Sequence, residues 1–450
     1  MKTPICEFTH TYAEKQTVRA HMPGHKGVGQ AERFDLTEIP GAGVLYAGDD
    51  CIAESEANAA RLFGAGKTLY STEGSSLCIR AMLYLARLHA AAQGRRPRIL
   101  AGRNAHTVFL TAAALLDVEV DWLMPEDGSA LRCVVTPQRL AQRLAAMPEL
   151  PTAVYITSPD YLGNMADIAA LAEVCHAKGC LLLVDNAHGA YLRFLPEDLH
   201  PMACGADLCC DSAHKTLPVL TGGAYLHLSK TCPSELRDAA QSAMRLFAST
   251  SPSYLILQSL DALNPRLEGE YPVRLAECSA RLARLRERLA AQGFHFAGDE
   301  PMKLTIDAGA YGYFGPALAS LLREAGIECE FADPDYVVLM LSPENAAEDY
   351  QRIEAALCAL PQRTPITRAQ PPLPLPQQAM PLREALFLPS ELLPTTQCEG
   401  RILAQPSVSC PPAVPLALCG ERLTKAHLAL FADYGVDRLH VVKNVTPLRM

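Results

Sequence analysis

Between about residues 55 and 230, short apolar runs alternate with longer stretches of helical periodicity. Strand candidates are 98–101, 118–123, 152–157, 181–185 and 206–210, with 223–228 after them, and helix candidates are 74–92, 106–116, 137–146 and 166–178. Apolar runs without polar alternation suit strands buried on both faces, so the pattern predicts an α/β fold with a mostly parallel sheet covered by helices on both sides. In open sheets of this kind, ligands bind beyond the carboxyl ends of the strands. Those ends are chemically loaded here: Arg103-Asn104-Ala105-His106-Thr107 follows one strand, Thr157-Ser158-Pro159-Asp160-Tyr161 another, and Asp185-Asn186-Ala187-His188-Gly189 a third.

About 30 residues after Asp185 comes Ser212-Ala213-His214-Lys215-Thr216-Leu217-Pro218, then Thr221-Gly222-Gly223. A lysine in a short polar turn, flanked by hydroxyls and a histidine, is the setting in which an amine forms a Schiff base with an aldehyde cofactor. An aspartate at a strand end can hold a pyridine nitrogen protonated by its charge. Together, Lys215 and Asp185 read as two halves of a pyridoxal 5'-phosphate site. Each alone has a plainer reading, since strand-ending aspartates are common in α/β proteins and a lysine after Ser-x-His usually lies on the surface. Further pieces match the same site. Gly74-Ser75-Ser76 opens a helix whose free N–H groups favour an anion such as a phosphate, although a simple serine N-cap also explains it. His106 stands at a strand-to-helix turn, where its ring would stack on a pyridine face or cap the helix. Ala187 is small enough for a ring to lie against the backbone, and His188 suits either a cofactor or substrate contact or a purely structural place.

With 450 residues, 49% hydrophobic and 20% charged, the chain has room for two or three domains. The expected division is 1–265 for an N-terminal arm and large cofactor-binding domain, 266–360 for a smaller α+β domain, 361–376 for a proline-rich linker, and 377–450 for a C-terminal domain. The small domain is read from a helical stretch over 254–292, a strand at Lys303–Asp307, a helix near 315–325, and strands at Ile327–Glu330 and Val337–Leu341. A formal charge of −9 offers no basic patch for nucleic acid. No signal-peptide or membrane-spanning run occurs, which points to the cytoplasm. The 16 cysteines are scattered without a C-x-x-C pair, so packing is expected of them and no metal site, including for vicinal Cys209 and Cys210.

The ordered set of motifs resembles the fold-type-I, pyridoxal-phosphate-dependent Orn/Lys/Arg decarboxylases in their compact form, without an N-terminal wing domain. It runs from His21-Met22-Pro23-Gly24-His25-Lys26-Gly27 with Asp35-Leu36-Thr37-Glu38, through the stretches above, to Ser249-Thr250-Ser251-Pro252-Ser253-Tyr254, Pro411-Pro412-x-x-Pro415 and Gly420-Glu421. The resemblance implies that Lys215 carries the cofactor, Asp185 pairs with its ring nitrogen, and His106 stacks on the ring. Ser75, Ser76, Ser212 and His214 would surround the phosphate. It also implies a homodimer or larger assembly with shared sites, in which Thr250 and Ser251 reach the phosphate of the neighbouring subunit. Three departures touch the substrate side: Thr107 and Tyr191 stand where relatives often carry lysine and histidine, and Ala413 replaces a glycine.

The implied reaction is α-decarboxylation of a basic L-amino acid (arginine, lysine or ornithine) to its amine, with arginine preferred by analogy and a role in polyamine formation. An aminotransferase or lyase shares the fold, and a non-catalytic binder of basic amino acids is the alternative of another class. Glu38, Asp49, Asp50 and Glu421 are the acids considered for the distal end of the substrate.

Overall fold

The computed structural model describes residues 1–15, 17–126, 128–368, 372–408 and 414–443. Seven strands build the central sheet: β1 Lys67–Ser71, β2 Arg98–Gly102, β3 Glu119–Leu123, β4 Ala153–Thr157, β5 Leu181–Asp185, β6 Leu208–Asp211 and β7 Ala224–Leu228. Their order is β1-β7-β6-β5-β4-β2-β3, and β7 alone runs against the rest. Alternation along β5 explains its unbroken apolar character. Leu181 and Leu183 join the core on one face, while Leu182 and Val184 join a second core on the other.

The first half of the chain supplies helices α1 Pro4–Glu14, α2 Cys51–Phe63, α3 Ser75–Ala92, α4 Thr107–Leu116, α5 Pro137–Ala146, α6 Ile168–His176, the one-turn α7 Ala213–Thr216 and α8 Ser234–Phe247. Helix α3 is buried over much of its circumference, which follows from its place between the sheet and the helices α4 and α8. The turn expected around Lys215 is thus a short helix.

The helical stretch expected over 254–292 divides into α9 Tyr254–Glu268 and α10 Tyr271–Ala291. The break falls at Gly269 and Glu270, just before Pro272, whose missing N–H suits a first turn and not an interior. A second, antiparallel sheet follows, of β8 His295–Ala297, β9 Lys303–Asp307, β10 Phe331–Ala332 and β11 Tyr336–Met340 in the order β10-β11-β9-β8, with α11 Gly315–Glu324 and α12 Ala347–Cys358. The strand expected over Ile327–Glu330 begins later, at Phe331. Gly326 and Ile327 are occupied in closing α11, their amides bonding to the carbonyls of Arg323 and Leu322.

The remaining elements are α13 Leu382–Phe387, β12 Ser390–Pro394, β13 Ser407–Val408, β14 Ala417–Leu418, α14 Lys425–Asp433 and β15 Arg438–Val442, with β12 paired to β15 and β13 to β14. Their own apolar cluster includes Leu403, Leu416, Leu430, Phe431 and Leu439, and it also takes in Ala130 and Leu131 from the β3–α5 connection. Cys410, Pro411, Pro412 and Ala413 lie outside the described residues, as does Pro371 of the proline-rich stretch. Among the described residues, no helix is long and apolar enough to cross a membrane.

Candidate active site

The carboxyl ends of β2, β4, β5 and β6 open on a cleft of about 450 Å³. Its lining contains Ser75, Ser76, His106, Asp185, Ala187, His188, Ser212, His214 and Lys215. Nine of the sequence-derived candidates therefore meet in one place. Four chain segments far apart in sequence deliver them, each from a strand end or a helix start.

Asp185 is 2% exposed at the end of β5. Its Oδ2 accepts from Tyr155 Oη at 3.0 Å, and its Oδ1 from the Ala187 amide at 3.2 Å and from Cys210 Sγ at 3.6 Å. Tyr155 reaches it because β4 lies beside β5 in parallel register. One residue further, Asn186 donates to Asp211 at 2.7 Å, and Asp211 also accepts from His200 and His227 at 2.9 and 3.1 Å. That buried network anchors the residues on either side of the cleft floor, and its imidazoles hold Asp211 below the usual carboxylate range against the desolvation that opposes them. Burial pushes the Cys209 and Cys210 thiols well up, in keeping with the packing role expected of them.

Lys215 Nζ lies 3.0 Å from His188 Nε2. Burial, then the ammonium groups of Lys303 and Lys215, hold the His188 imidazole well below its usual pKa. A neutral ring that accepts from Lys215 through Nε2 carries its proton on Nδ1, and that atom is buried with no hydrogen-bond partner among the described residues.

Gly74, at φ 69°, turns the chain into α3 and leaves the amides of Ser75 and Ser76 at the helix start. Ser212 Oγ donates to Ser75 Oγ at 2.7 Å, which ties the lysine segment to this anion-favouring turn. His214 Nδ1 is fixed on the Gly223 carbonyl at 3.0 Å. His106 caps α4, its Nδ1 accepting from the Val108 amide at 3.2 Å. Its ring meets the open cleft, yet the surrounding protein removes enough water to lower its pKa against the pull of Asp185, with Lys215 adding to the lowering. Thr157 Oγ1, also in the lining, is buried without a hydrogen-bond partner among the described residues. An amine, a strand-end carboxylate, free helix amides, a flat ring and an unsatisfied hydroxyl around one space suit a phosphorylated pyridine aldehyde.

Thr250 and Ser251 stand apart. Both are exposed, and Ser251 lines a second cleft with Met22, Pro23, Asp35, Thr37 and Glu38. The Ser249 amide donates to Glu73 at 2.7 Å, so this segment lies beside the residue preceding Gly74.

The acids suggested for the substrate's distal end are placed otherwise. Glu421 is fully buried and paired twice with Arg103, at 2.6 and 2.9 Å, so it has no access to the cleft. Asp50 caps α2 through the amides of Ile52 and Ala53, and Asp49 and Glu38 do not line the Lys215 cleft. Tyr191 is buried with its hydroxyl on Glu300 and also lies outside the lining. The acids in the lining are Asp160 and Asp185, and one further acid, which the sequence reading treated only as strand, reaches the lining through Tyr161. Tyr161, a lining residue, donates to Glu330 at 2.7 Å. Pro415 also reaches the lining. Glu328 and Glu330 flank half-buried Cys329 and in a strand would share one face, so the contact of Glu330 with Tyr161 is decided by docking of distant segments.

The family model described as the major domain of Orn/Lys/Arg decarboxylase matches residues 3–297. An arginine decarboxylase of Bacillus subtilis (strain 168) is 30% identical over 463 residues, covering 95% of this chain and 92% of the relative. One from Halalkalibacterium halodurans is 27% identical, covering 96% of this chain and 93% of its own. Among solved structures, the constitutive lysine decarboxylase of Escherichia coli superposes with a TM-score of 0.78 at 18% identity, covering 98% of this chain and 82% of that one.

Proposed function

From the premise that the chain belongs to the Orn/Lys/Arg decarboxylase family, as a pyridoxal-phosphate-dependent decarboxylase acting on a basic amino acid, we propose that its substrate is L-arginine, converted to agmatine and carbon dioxide. The observation that carries the substrate assignment is Glu330: outside the cleft lining itself, its carboxylate is bonded to the lining residue Tyr161, where it suits the planar fork of a guanidinium. Burial and Glu330 raise the Tyr161 pKa above the ordinary phenol value, so the phenol remains a donor across the neutral range. Relatives named arginine decarboxylase that align over nearly the whole chain support the same choice.

Bound pyridoxal phosphate supplies an electron sink for the pair released when the α-carboxylate leaves as carbon dioxide. The protein's residues have four tasks around it. Lys215 would hold the cofactor through its amine, and His188, kept neutral by burial, orients that amine by accepting from Lys215 Nζ at 3.0 Å. Asp185 stands at the cleft floor for the ring nitrogen, oriented by Tyr155 and Ala187. Ser75, Ser76, Ser212 and His214 would hold the phosphate, and His106 and Ala187, also in the lining, would bound the ring. After carboxylate loss the α-carbon needs a proton, and the Lys215–His188 pair can return one from Lys215 Nζ. Thr250 and Ser251, both exposed and Ser251 at a second cleft, would complete the site of a neighbouring subunit in a homodimer.

The test is release of carbon dioxide from carboxyl-labelled arginine, lysine and ornithine supplied separately to the cofactor-loaded protein, with Lys215→Ala as control. Release from arginine above the other two, lost in the variant, is expected. Preferential release from lysine or ornithine refutes the substrate assignment, and no release from any of the three, beside substrate loss that demands a keto-acid acceptor, turns the reading towards transamination.

A further inference from the structure

The turn that carries His106 is held from two sides by the C-terminal part of the chain. Arg103, three residues before His106, is fully buried and pairs with Glu421, also fully buried, through two parallel bonds of 2.6 and 2.9 Å. Thr107, one residue after His106, bonds through its hydroxyl to that of Ser407 at 3.1 Å. These two contacts are themselves joined. Glu421 Oε2 accepts the Leu418 amide at 2.9 Å, and Leu418 in β14 stands opposite Ser407 in β13. The result is a closed ring: Arg103, Glu421, Leu418, Ser407, Thr107 and back through His106. From the same segment, Pro415 lines the cofactor cleft.

An ion pair withdrawn from water seldom repays its desolvation, and an apolar pair of equal volume often does as well for stability. Arg103 carries a further cost, since its Nε is buried without a hydrogen-bond partner among the described residues. Its backbone amide is meanwhile fixed on the Leu123 carbonyl at 3.0 Å, and its guanidinium lies over Trp122 at 5.7 Å. What a two-pronged pair does supply is direction: it admits one relative placement of the two segments. The hydroxyl pair at Thr107 adds a second fixed point on the other side of His106.

We propose that Glu421 and Ser407 are positioning residues, latching the paired strands β13 and β14 onto the turn that carries His106 and so setting the wall of the cofactor cleft. Glu421 then acts through Arg103, and Ser407 through Thr107. Neither touches the reacting atoms. The proposal rests on the assignment of His106 to the face of the cofactor ring.

The experiment measures the dissociation constant of pyridoxal phosphate and the visible circular dichroism of the bound cofactor in the full chain, beside the thermal unfolding midpoint. Loss of one hydroxyl in Ser407→Ala is expected to weaken cofactor binding about fivefold and to diminish the dichroic band, with Ser407→Thr restoring both. The double variant Arg103→Met/Glu421→Leu is expected to keep the unfolding midpoint of the parent while binding the cofactor at least about tenfold more weakly. A purely structural pair would lower the midpoint in Glu421→Gln and leave cofactor binding and dichroism alone. Binding within twofold of the parent in both Ser407→Ala and the double variant overturns the latch, as does failure of threonine to rescue. His106→Ala separates the premise: if it binds the cofactor as tightly as the parent, the assignment of His106 fails and the latch with it, whereas weak binding there beside unchanged binding in Ser407→Ala and the double variant sinks the latch alone.

Discussion

Glu330→Gln removes a charge and little else. The glutamine keeps an oxygen that can accept from Tyr161, so the 2.7 Å bond and the side-chain volume persist. What is lost is the attraction between a carboxylate and the cationic end of the substrate. Coulomb's law places a pair 4 Å apart at about 1 kcal/mol in bulk water and about 4 kcal/mol at an effective dielectric of 20. Glu330 is exposed in the free protein, and exposed pairs fall towards the lower figure. A substrate seated in the cleft excludes part of that water, so a loss of about 1–3 kcal/mol is expected, or about 5- to 150-fold in kcat/KM. Because the contact lies away from the reacting atoms, it should be made equally in the ground and transition states, and the loss should appear as a raised KM with kcat held. Arginine should suffer more than lysine, since only a guanidinium can use both oxygens. Steady-state carbon dioxide release with each substrate reads this out. A change below twofold for arginine, or a fall confined to kcat, refutes Glu330 as the distal contact.

Three further outcomes follow from the site and its supports. Asp185→Ala should lower turnover by about 10²–10³-fold while urea unfolding of the apoprotein changes little, and a turnover within tenfold of the parent would remove Asp185 from the ring nitrogen. Gly222→Ala should weaken pyridoxal phosphate binding measured by fluorescence titration: at φ 100° its Cβ would stand 2.8 Å from the Thr72 carbonyl, and the Gly222 carbonyl itself accepts the Gly74 amide at 2.8 Å, so the start of α3 must shift. Glu56, fully buried with the Tyr70 amide on its Oε1 at 2.9 Å, is pushed by desolvation up to about 8. The folded state therefore keeps a proton that the unfolded chain releases above about pH 4.5, and this group's contribution to stability falls as pH rises from there to about 8, by up to ~1.4 kcal/mol per pH unit. In Glu56→Gln that slope should vanish, and stability against urea between pH 5 and 8 should stay flatter than in the parent; parallel pH profiles would contradict the buried, protonated assignment.

The sequence by itself determined the layered α/β architecture and the neighbourhood of the cofactor. Apolar runs such as 181–184 admit only a strand covered on both faces, and the topology of such sheets sends their polar ends to one edge, which is why Asp185, His106 and Lys215 share a cleft. Local chemistry was equally legible where it is settled by neighbours in the chain, as at Gly74-Ser75-Ser76. Tertiary structure decided whatever depends on docking between distant segments. Glu421 stood among the candidates for the substrate's distal end, and the guanidinium of Arg103, 318 residues away, claims it instead. Glu330 looked like an ordinary strand residue until the antiparallel sheet brought it to Tyr161. The end of α11 at Gly326 and Ile327, and the break before Pro272, show the same division on a smaller scale: apolar periodicity marks where an element can run, while hydrogen bonds at its ends decide where it stops.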